Sequence, residues 1–174
     1  ESYARGMDWY REQFADNTGE AAIGECTPNY LWVSDAPDSV QEDRRRRGFA
    51  PVDFQDYPIL NRNIPELVKR DLPDLKLIVS LRNPVDRAIS RFYHAIRARK
   101  FSPRSKLLDV GGREGILGMG FYYRHLEAWF QHFPRDRFLI LIYEDELAGS
   151  QKAHTLKRLY RHIGVDDTVT PENL

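Results

Sequence analysis

Read from the amino end, apolar positions recur first at helical spacing. Met7, Tyr10 and Phe14 share one face, which predicts an amphipathic helix over residues 3–14. Residues 21–25 (AAIGE) are a short apolar run closed by a carboxylate, the pattern of a buried strand. Residues 35–57 break the pattern. They hold Pro37, Gly48, Pro51, the run Arg44 to Arg47 and few aliphatics, and they predict a loop or insertion. Four consecutive arginines can grip a polyanion, although a solvated loop is the commoner meaning of such a run. Periodicity returns at 59–70, where Leu60, Ile64, Leu67 and Val68 fall on one helical face and Pro73 ends the element. Residues 76–81 (KLIVSL) are almost wholly apolar and β-rich, which predicts a central parallel strand buried on both faces. A helix follows from Pro84 to about Lys100, then a second loop over 101–115. Residues 120–133 are again helical, with Tyr122, Leu126, Trp129 and Phe130 on the apolar side. Residues 138–143 (FLILIY) form another buried strand, and 151–163 a last amphipathic helix closed by Gly164. Strands alternating with helices predict an α/β domain with a mainly parallel sheet and right-handed crossovers. Three strands are few for such a sheet, so at least one further strand is expected upstream.

Composition narrows the classes. The chain has 174 residues, one domain's worth, and its 41% hydrophobic content is enough to bury a core. Its 26 basic and 26 acidic residues cancel, which argues against a protein that coats nucleic acid. An arginine-rich RNA-binding role is further disfavoured by the lack of an aromatic-basic repeat. No apolar run approaches the roughly 20 residues of a membrane span. A single cysteine, Cys26, excludes an internal disulfide and a cysteine zinc site, which fits a reducing, cytoplasmic setting. The chain opens on Glu1 with no signal pattern, as expected of a piece of a larger polypeptide.

In an open α/β sheet, ligands bind beyond the carboxyl ends of the strands. Three segments reach that place. The first is Leu81-Arg82-Asn83-Pro84-Val85-Asp86-Arg87-Ala88-Ile89-Ser90. Asn83 suits the N-cap, Pro84 the first helical position, and Asp86 the third, as in a capping box. Free N–H groups and the dipole at such a helix start attract an anion, and Arg82 adds a donor fork that matches phosphate. Ser90, two turns on, supplies a hydroxyl. The second is Gly24-Glu25-Cys26-Thr27-Pro28-Asn29-Tyr30, where Glu25 either takes a proton from a substrate or forms a structural salt bridge or cap. The third is Tyr143-Glu144-Asp145-Glu146, whose carboxylates are expected to cap the next helix and pair with arginines.

These patterns resemble the sulfotransferases that use 3′-phosphoadenosine-5′-phosphosulfate, in their heparan-sulfate-type and bacterial branch. The residues that carry the likeness are Gly24-Glu25-x-Thr27-Pro28-x-Tyr30, Leu77-Ile78-Val79-x-Leu81-Arg82-Asn83-Pro84-Val85-x-Arg87-Ala88-x-Ser90, and Gly120-x-Tyr122 through Trp129 to Phe133-Pro134, followed by Tyr143-Glu144-Asp145. Met7-Asp8-Trp9-Tyr10 and Phe14 are similar to the family's helix before the catalytic strand. The resemblance spans most of residues 3–165. It implies a P-loop-NTPase-like three-layer α/β/α fold in a single domain, 1–174, with the first strand missing. It implies that Arg82 and Ser90 hold the donor's 3′-phosphate and that Glu25 is the general base. His94, one turn beyond Ser90, is a second candidate catalytic residue, weighed against a plain helix-surface histidine. The implied cofactor is the phosphosulfate donor with no metal, and the acceptor a small molecule or a carbohydrate hydroxyl or amine. Two departures stand out. No Gly-rich Lys-Ser/Thr loop occurs in residues 1–174, and Cys26 stands where a lysine commonly follows the glutamate. A non-catalytic nucleotide-binding module of the same fold is the alternative.

Overall fold

The computed structural model describes residues 5–27, 30–33 and 64–171. The segment 35–57 with its four arginines lies outside the described residues, as do the first residues of the helix expected from 59. Among the described residues the α-helices and strands are, in chain order, α1 (Gly6–Glu12), α2 (Ile64–Asp71), β1 (Leu77–Leu81), α3 (Pro84–Arg97), α4 (Leu107–Val110), α5 (Tyr122–Phe130), β2 (Phe138–Ile142) and α6 (Lys152–Ile163). No helix among the described residues is long and apolar enough to cross a membrane.

The helices answer to the apolar periodicity, with shorter bounds. α1 covers only part of the predicted 3–14, but Tyr10 and Phe14 keep their one-turn contact, ring centroids 5.2 Å apart and edge to face. α6 ends at Gly164, whose φ of +87° is the left-handed closure that glycine adopts without a Cβ clash. The loop after α3 contains the single turn α4.

β1 and β2 pair in parallel, in the register Leu77↔Phe138 through Leu81↔Ile142. Two corrections follow. The expected strand at 21–25 is absent: these residues form no regular element, have no ladder partner among the described residues, and lie exposed, with Ile23 half accessible. Apolar composition supplies the side chains of a strand but not the partner that its N–H and C=O groups need. The expectation that residues 76–81 are buried on both faces also fails. Leu81 is buried and Leu77 and Val79 half-buried, while Ile78 and Ser80 lie exposed. β2 does meet that expectation, with Leu139 and Leu141 buried on one face and Phe138 packed on the other. α6 contacts β2, and Trp129 and Phe130 of α5 pack edge to face on Phe138 of β2, so two helices stand against that strand.

The core has two centres. Trp129 and Phe133 of the α5 region pack with Val33, Ile64, Val68, Leu77 and Phe138, joining α2, α5 and both strands. Ala88, Phe92 and Ala95 of α3 pack with Phe101 and Ile116 of the following loop. The second centre is what holds residues 101–120 against α3.

Candidate active site

The parallel register explains how the site is assembled. Pairing Leu81 with Ile142 makes Arg82 and Tyr143 the first residues beyond the carboxyl ends of neighbouring strands. The turn Tyr143–Leu147 follows directly. The two segments singled out at strand ends in the sequence therefore meet at one edge of the sheet, where α3 begins.

Asn83 caps α3 as its position predicts. Its side-chain oxygen accepts from the N–H groups of Val85 at 3.0 Å and Asp86 at 3.4 Å. The capping box, however, is closed by a different residue. The backbone N–H of Asn83 donates to Oε1 of Glu144 at 2.8 Å, so Glu144, not Asp86, supplies the reciprocal carboxylate. This corrects the reading of the helix start as a set of free donors. Pro84 has no N–H, Val85 and Asp86 donate to the Asn83 side chain, and Arg87 N–H donates to Asn83 O at 2.9 Å. The anion-binding capacity at this end rests instead on Arg82 and on the dipole of the fourteen-residue helix.

Arg82 is fixed on two sides. Its guanidinium carbon lies 5.5 Å from the centroid of the Tyr143 ring. Its Nε lies 3.9 Å from Glu144 Oε1, and both side chains are about two-fifths exposed. Among the described residues no hydrogen bond engages its terminal Nη groups.

Ser90 and His94 occupy the exposed side of α3, with Asp86, Ile89 and Tyr93. His94 Nδ1 lies 3.5 Å from Nη1 of Arg91, and no other described partner engages it. The buried side of α3 is structural. Arg87, half-buried, donates to the carbonyls of Gly115 and Ile116, and loss of water around it lowers its pKa from that of a free guanidinium. Arg91 donates to the carbonyl and carboxylate of Glu114, which also accepts from Lys100 at 2.9 Å. A Cβ on Gly120 would sit 3.3 Å from Pro84 Cβ, so the loop approaches the very start of α3.

Glu25 does not end a strand. It lies exposed in the irregular segment after α1, close enough to Tyr10 for its charge to act on the phenol. Partial burial first, then the Glu25 charge and that of Tyr30, raise the Tyr10 phenol above its ordinary 10.0. Downstream, the segment is anchored firmly. Trp129 Nε1 donates to Leu31 O at 3.2 Å, and Val33 N–H donates to Nδ1 of the buried His125. The structure thus brings Arg82 together with Tyr143 and Glu144, and places Ser90 and His94 one turn apart. Among the described residues no hydrogen bond or ion pair joins Glu25 to any of them.

Sequence reasoning missed Tyr10 as a neighbour of Glu25, and Tyr143 and Glu144 as neighbours of Arg82. The third strand-end segment pairs with arginines as expected, Glu144 with Arg82 and Glu146 with Arg158, but it does not cap the next helix: Glu144 caps α3 instead, Glu146 accepts from Ile142 N–H at 2.7 Å, and no side chain caps α6. The missing signal was the register: two five-residue apolar strands, aligned at their carboxyl ends, already place residues 82 and 143 side by side.

The family model for the sulfotransferase domain matches residues 2–173. The chain belongs to the sulfotransferase family. Mouse heparan sulfate glucosamine 3-O-sulfotransferase 6 is 28% identical over 98% of this chain and 43% of its own length. Mouse heparan sulfate glucosamine 3-O-sulfotransferase 3B1 is 25% identical over 99% of this chain and 38% of its own. The bifunctional heparan sulfate N-deacetylase/N-sulfotransferase 1 of Xenopus laevis is 25% identical over 97% of this chain and 18% of its own. A sulfotransferase from Alicyclobacillus acidocaldarius shares the fold, with a TM-score of 0.69 and 20% identity, over 97% of this chain and 60% of that one. The chain therefore spans about two-fifths of the 3-O-sulfotransferases it matches. The two parallel strands, with α5 and α6 against β2, are the described residues' portion of the sulfotransferase α/β fold.

Proposed function

We propose that this chain forms the acceptor-activating and 3′-phosphate-binding part of a sulfotransferase that uses 3′-phosphoadenosine-5′-phosphosulfate. One observation carries the reading. At the carboxyl ends of the paired strands, Arg82 is held by Tyr143 and Glu144 while its terminal nitrogens have no described partner. A guanidinium with one edge anchored and the other open suits a phosphate, which accepts two parallel N–H bonds. Ser90, exposed on α3, adds a hydroxyl donor. The residues present thus fit the 3′-phosphate end of the donor. The sulfate end needs other groups, because no Gly-rich Lys-Ser/Thr loop occurs in residues 1–174.

The donor supplies a sulfuryl group on a good leaving group, and the chain's own residues bind, orient and move one proton. Arg82 and Ser90 hold the nucleotide. Glu25 accepts the proton of the acceptor hydroxyl or amine as the new sulfur–oxygen or sulfur–nitrogen bond forms. The sulfur–oxygen bond to the donor phosphate breaks, and adenosine 3′,5′-bisphosphate departs with its electron pair. Such transfer depends on positioning and charge stabilisation more than on covalent help. Glu25 is exposed and so accessible to an acceptor, with the Tyr10 phenol near its carboxylate. His94, on the same helix face as Ser90, is the second candidate to touch the acceptor. The 3-O-sulfotransferase relatives make a carbohydrate acceptor the leading choice.

The test is Glu25→Gln in the full-length polypeptide. Gln keeps the shape and removes the basicity, so turnover falls by about 10²–10⁴-fold while donor binding stays within twofold. Near-normal turnover transfers the base to another residue, with His94→Gln measured next. Lost donor binding makes Glu25 structural. If the intact protein binds the nucleotide but transfers no sulfuryl group to any hydroxyl or amine acceptor, a non-catalytic nucleotide-binding module is the correct reading.

A further inference from the structure

We infer that Glu144 and Tyr143 are positioning residues that aim Arg82 at a phosphate, and that Glu144 acts from the capping position of α3. This rests on the assignment of Arg82 to the donor's 3′-phosphate and goes beyond it by naming what orients that arginine.

The argument starts from Arg82 itself. A strand-tip arginine with an exposed side chain has many rotamers, and ordering it on a ligand costs side-chain entropy. Binding is tighter if that order exists beforehand. Two neighbours provide it. The Tyr143 ring lies against the guanidinium, with the carbon 5.5 Å from the ring centroid. Glu144 Oε1 lies 3.9 Å from Nε, the inner edge of the fork, and no hydrogen bond among the described residues engages the Nη edge.

Glu144 is itself anchored. The same Oε1 accepts the Asn83 N–H at 2.8 Å, the backbone donor next to Arg82. One oxygen therefore fixes the backbone at residue 83 and the side chain at residue 82 together. An exposed ion pair alone is worth little. Here the backbone bond holds the carboxylate in place whether or not the arginine is paired. The parallel register makes the arrangement possible, since Leu81 and Ile142 are partners and the next residues diverge from one strand edge.

Two roles are possible for a carboxylate so placed, and they predict opposite signs. A competitor for the phosphate would weaken binding, and its removal would tighten it. A positioning residue would strengthen binding, and its removal would loosen it. The geometry favours positioning, because Glu144 faces Nε and the backbone N–H while the Nη groups that match a phosphate fork have no hydrogen bond among the described residues.

The experiment measures adenosine 3′,5′-bisphosphate and adenosine 5′-monophosphate binding to the full chain and to Glu144→Gln, Arg82→Ala and the double variant. Tyr143→Phe and Tyr143→Leu form a second pair. The Arg82 side-chain Nε–H resonance, assigned with Arg82→Lys, is followed in parallel by NMR. Glu144→Gln is expected to weaken the bisphosphate about three- to tenfold, leave the monophosphate unchanged, and add nothing in the Arg82→Ala background. Tyr143→Phe binds as the parent, while Tyr143→Leu weakens the bisphosphate. The Arg82 resonance broadens or shifts toward free arginine in Glu144→Gln. Tighter bisphosphate binding in Glu144→Gln overturns the proposal in favour of competition. Equal loss for both nucleotides, or an unchanged Arg82 resonance, overturns it in favour of a purely structural role. Should the parent itself fail to discriminate the two nucleotides, the donor assignment falls, and the NMR comparison still decides whether Glu144 orders Arg82.

Discussion

Val33 donates its backbone N–H to Nδ1 of His125 at 3.3 Å, across 92 residues of chain. A backbone N–H can only donate, so Nδ1 must be the unprotonated nitrogen. Nε2 then carries the proton and donates to Gly118 O at 2.9 Å. The ring is 4% exposed, and it joins three segments: the end of the Glu25 stretch, helix α5 and the loop that packs on α3. A neutral histidine with one acceptor and one donor nitrogen meets both backbone groups at once.

His125→Ala should therefore lower stability by about 2–4 kcal/mol, since a buried donor and a buried acceptor both lose their partner. Urea unfolding measures this. Hydrogen exchange at Val33 should rise far more than at the β1–β2 ladder. A loss under about 0.5 kcal/mol would mean that water or another group replaces the ring without penalty.

Arg82→Ala should weaken adenosine 3′,5′-bisphosphate by about 10- to 150-fold, the worth of a charge-assisted contact of about 1.5–3 kcal/mol. Adenosine 5′-monophosphate should bind nearly as before. Isothermal titration of both nucleotides checks it, and equal losses would remove Arg82 from the 3′-phosphate.

Tyr10 should titrate late. Its phenol is raised by burial and by the neighbouring Glu25 charge. Glu25→Gln removes that charge, so the alkaline absorbance transition assigned to Tyr10 by Tyr10→Phe should move down. Tyr123, raised by its own hydrogen bond to Glu127, should not move and serves as the internal control.

His162 gives a pH dependence with a definite sign. Burial lowers its pKa below the ordinary 6.5, nearby Lys76 pushes the same way, and contacts with the backbone of Leu77 and Arg137 oppose without winning. Its Nε2 is buried without a hydrogen-bond partner among the described residues. The folded state thus binds this proton less well than the unfolded chain. The stability held above pH about 6.5 is lost as pH falls through that value toward the lower folded pKa. Denaturation midpoints measured from pH 7.5 to 5 should fall, and His162→Asn should flatten that part of the curve. A parent curve that is already flat would contradict the assignment.

Local features were legible along the chain because their causes lie within a few residues. Asn83 followed by Pro84 marks the start of α3, and the cap forms as written, since the side chain needs only Val85 and Asp86. Gly164 marks the end of α6 because left-handed backbone there suits a residue without Cβ. Arg82 and Ser90 stand out by spacing from those landmarks. By contrast, the apolar run 21–25 reads as a strand and is not one, because a strand needs a partner that composition does not supply. Asp86 reads as the closing carboxylate of the capping box, yet Glu144 takes that bond from 61 residues away.

The order of hydrophobic and polar residues thus determined by itself that this is an α/β chain, that α3 starts after Asn83 and α6 ends at Gly164, and that Arg82 stands at a strand tip. Those properties depend on periodicity, capping and backbone preference, which act over one or two turns. Only the tertiary structure decided that β1 and β2 are direct parallel neighbours in the register Leu81↔Ile142. That register sets Arg82 beside Tyr143 and Glu144, and leaves Ile78 and Ser80 of β1 open while Leu139 and Leu141 of β2 are buried. Pairing and register depend on contacts between residues some sixty positions apart, and local sequence carries little of that information.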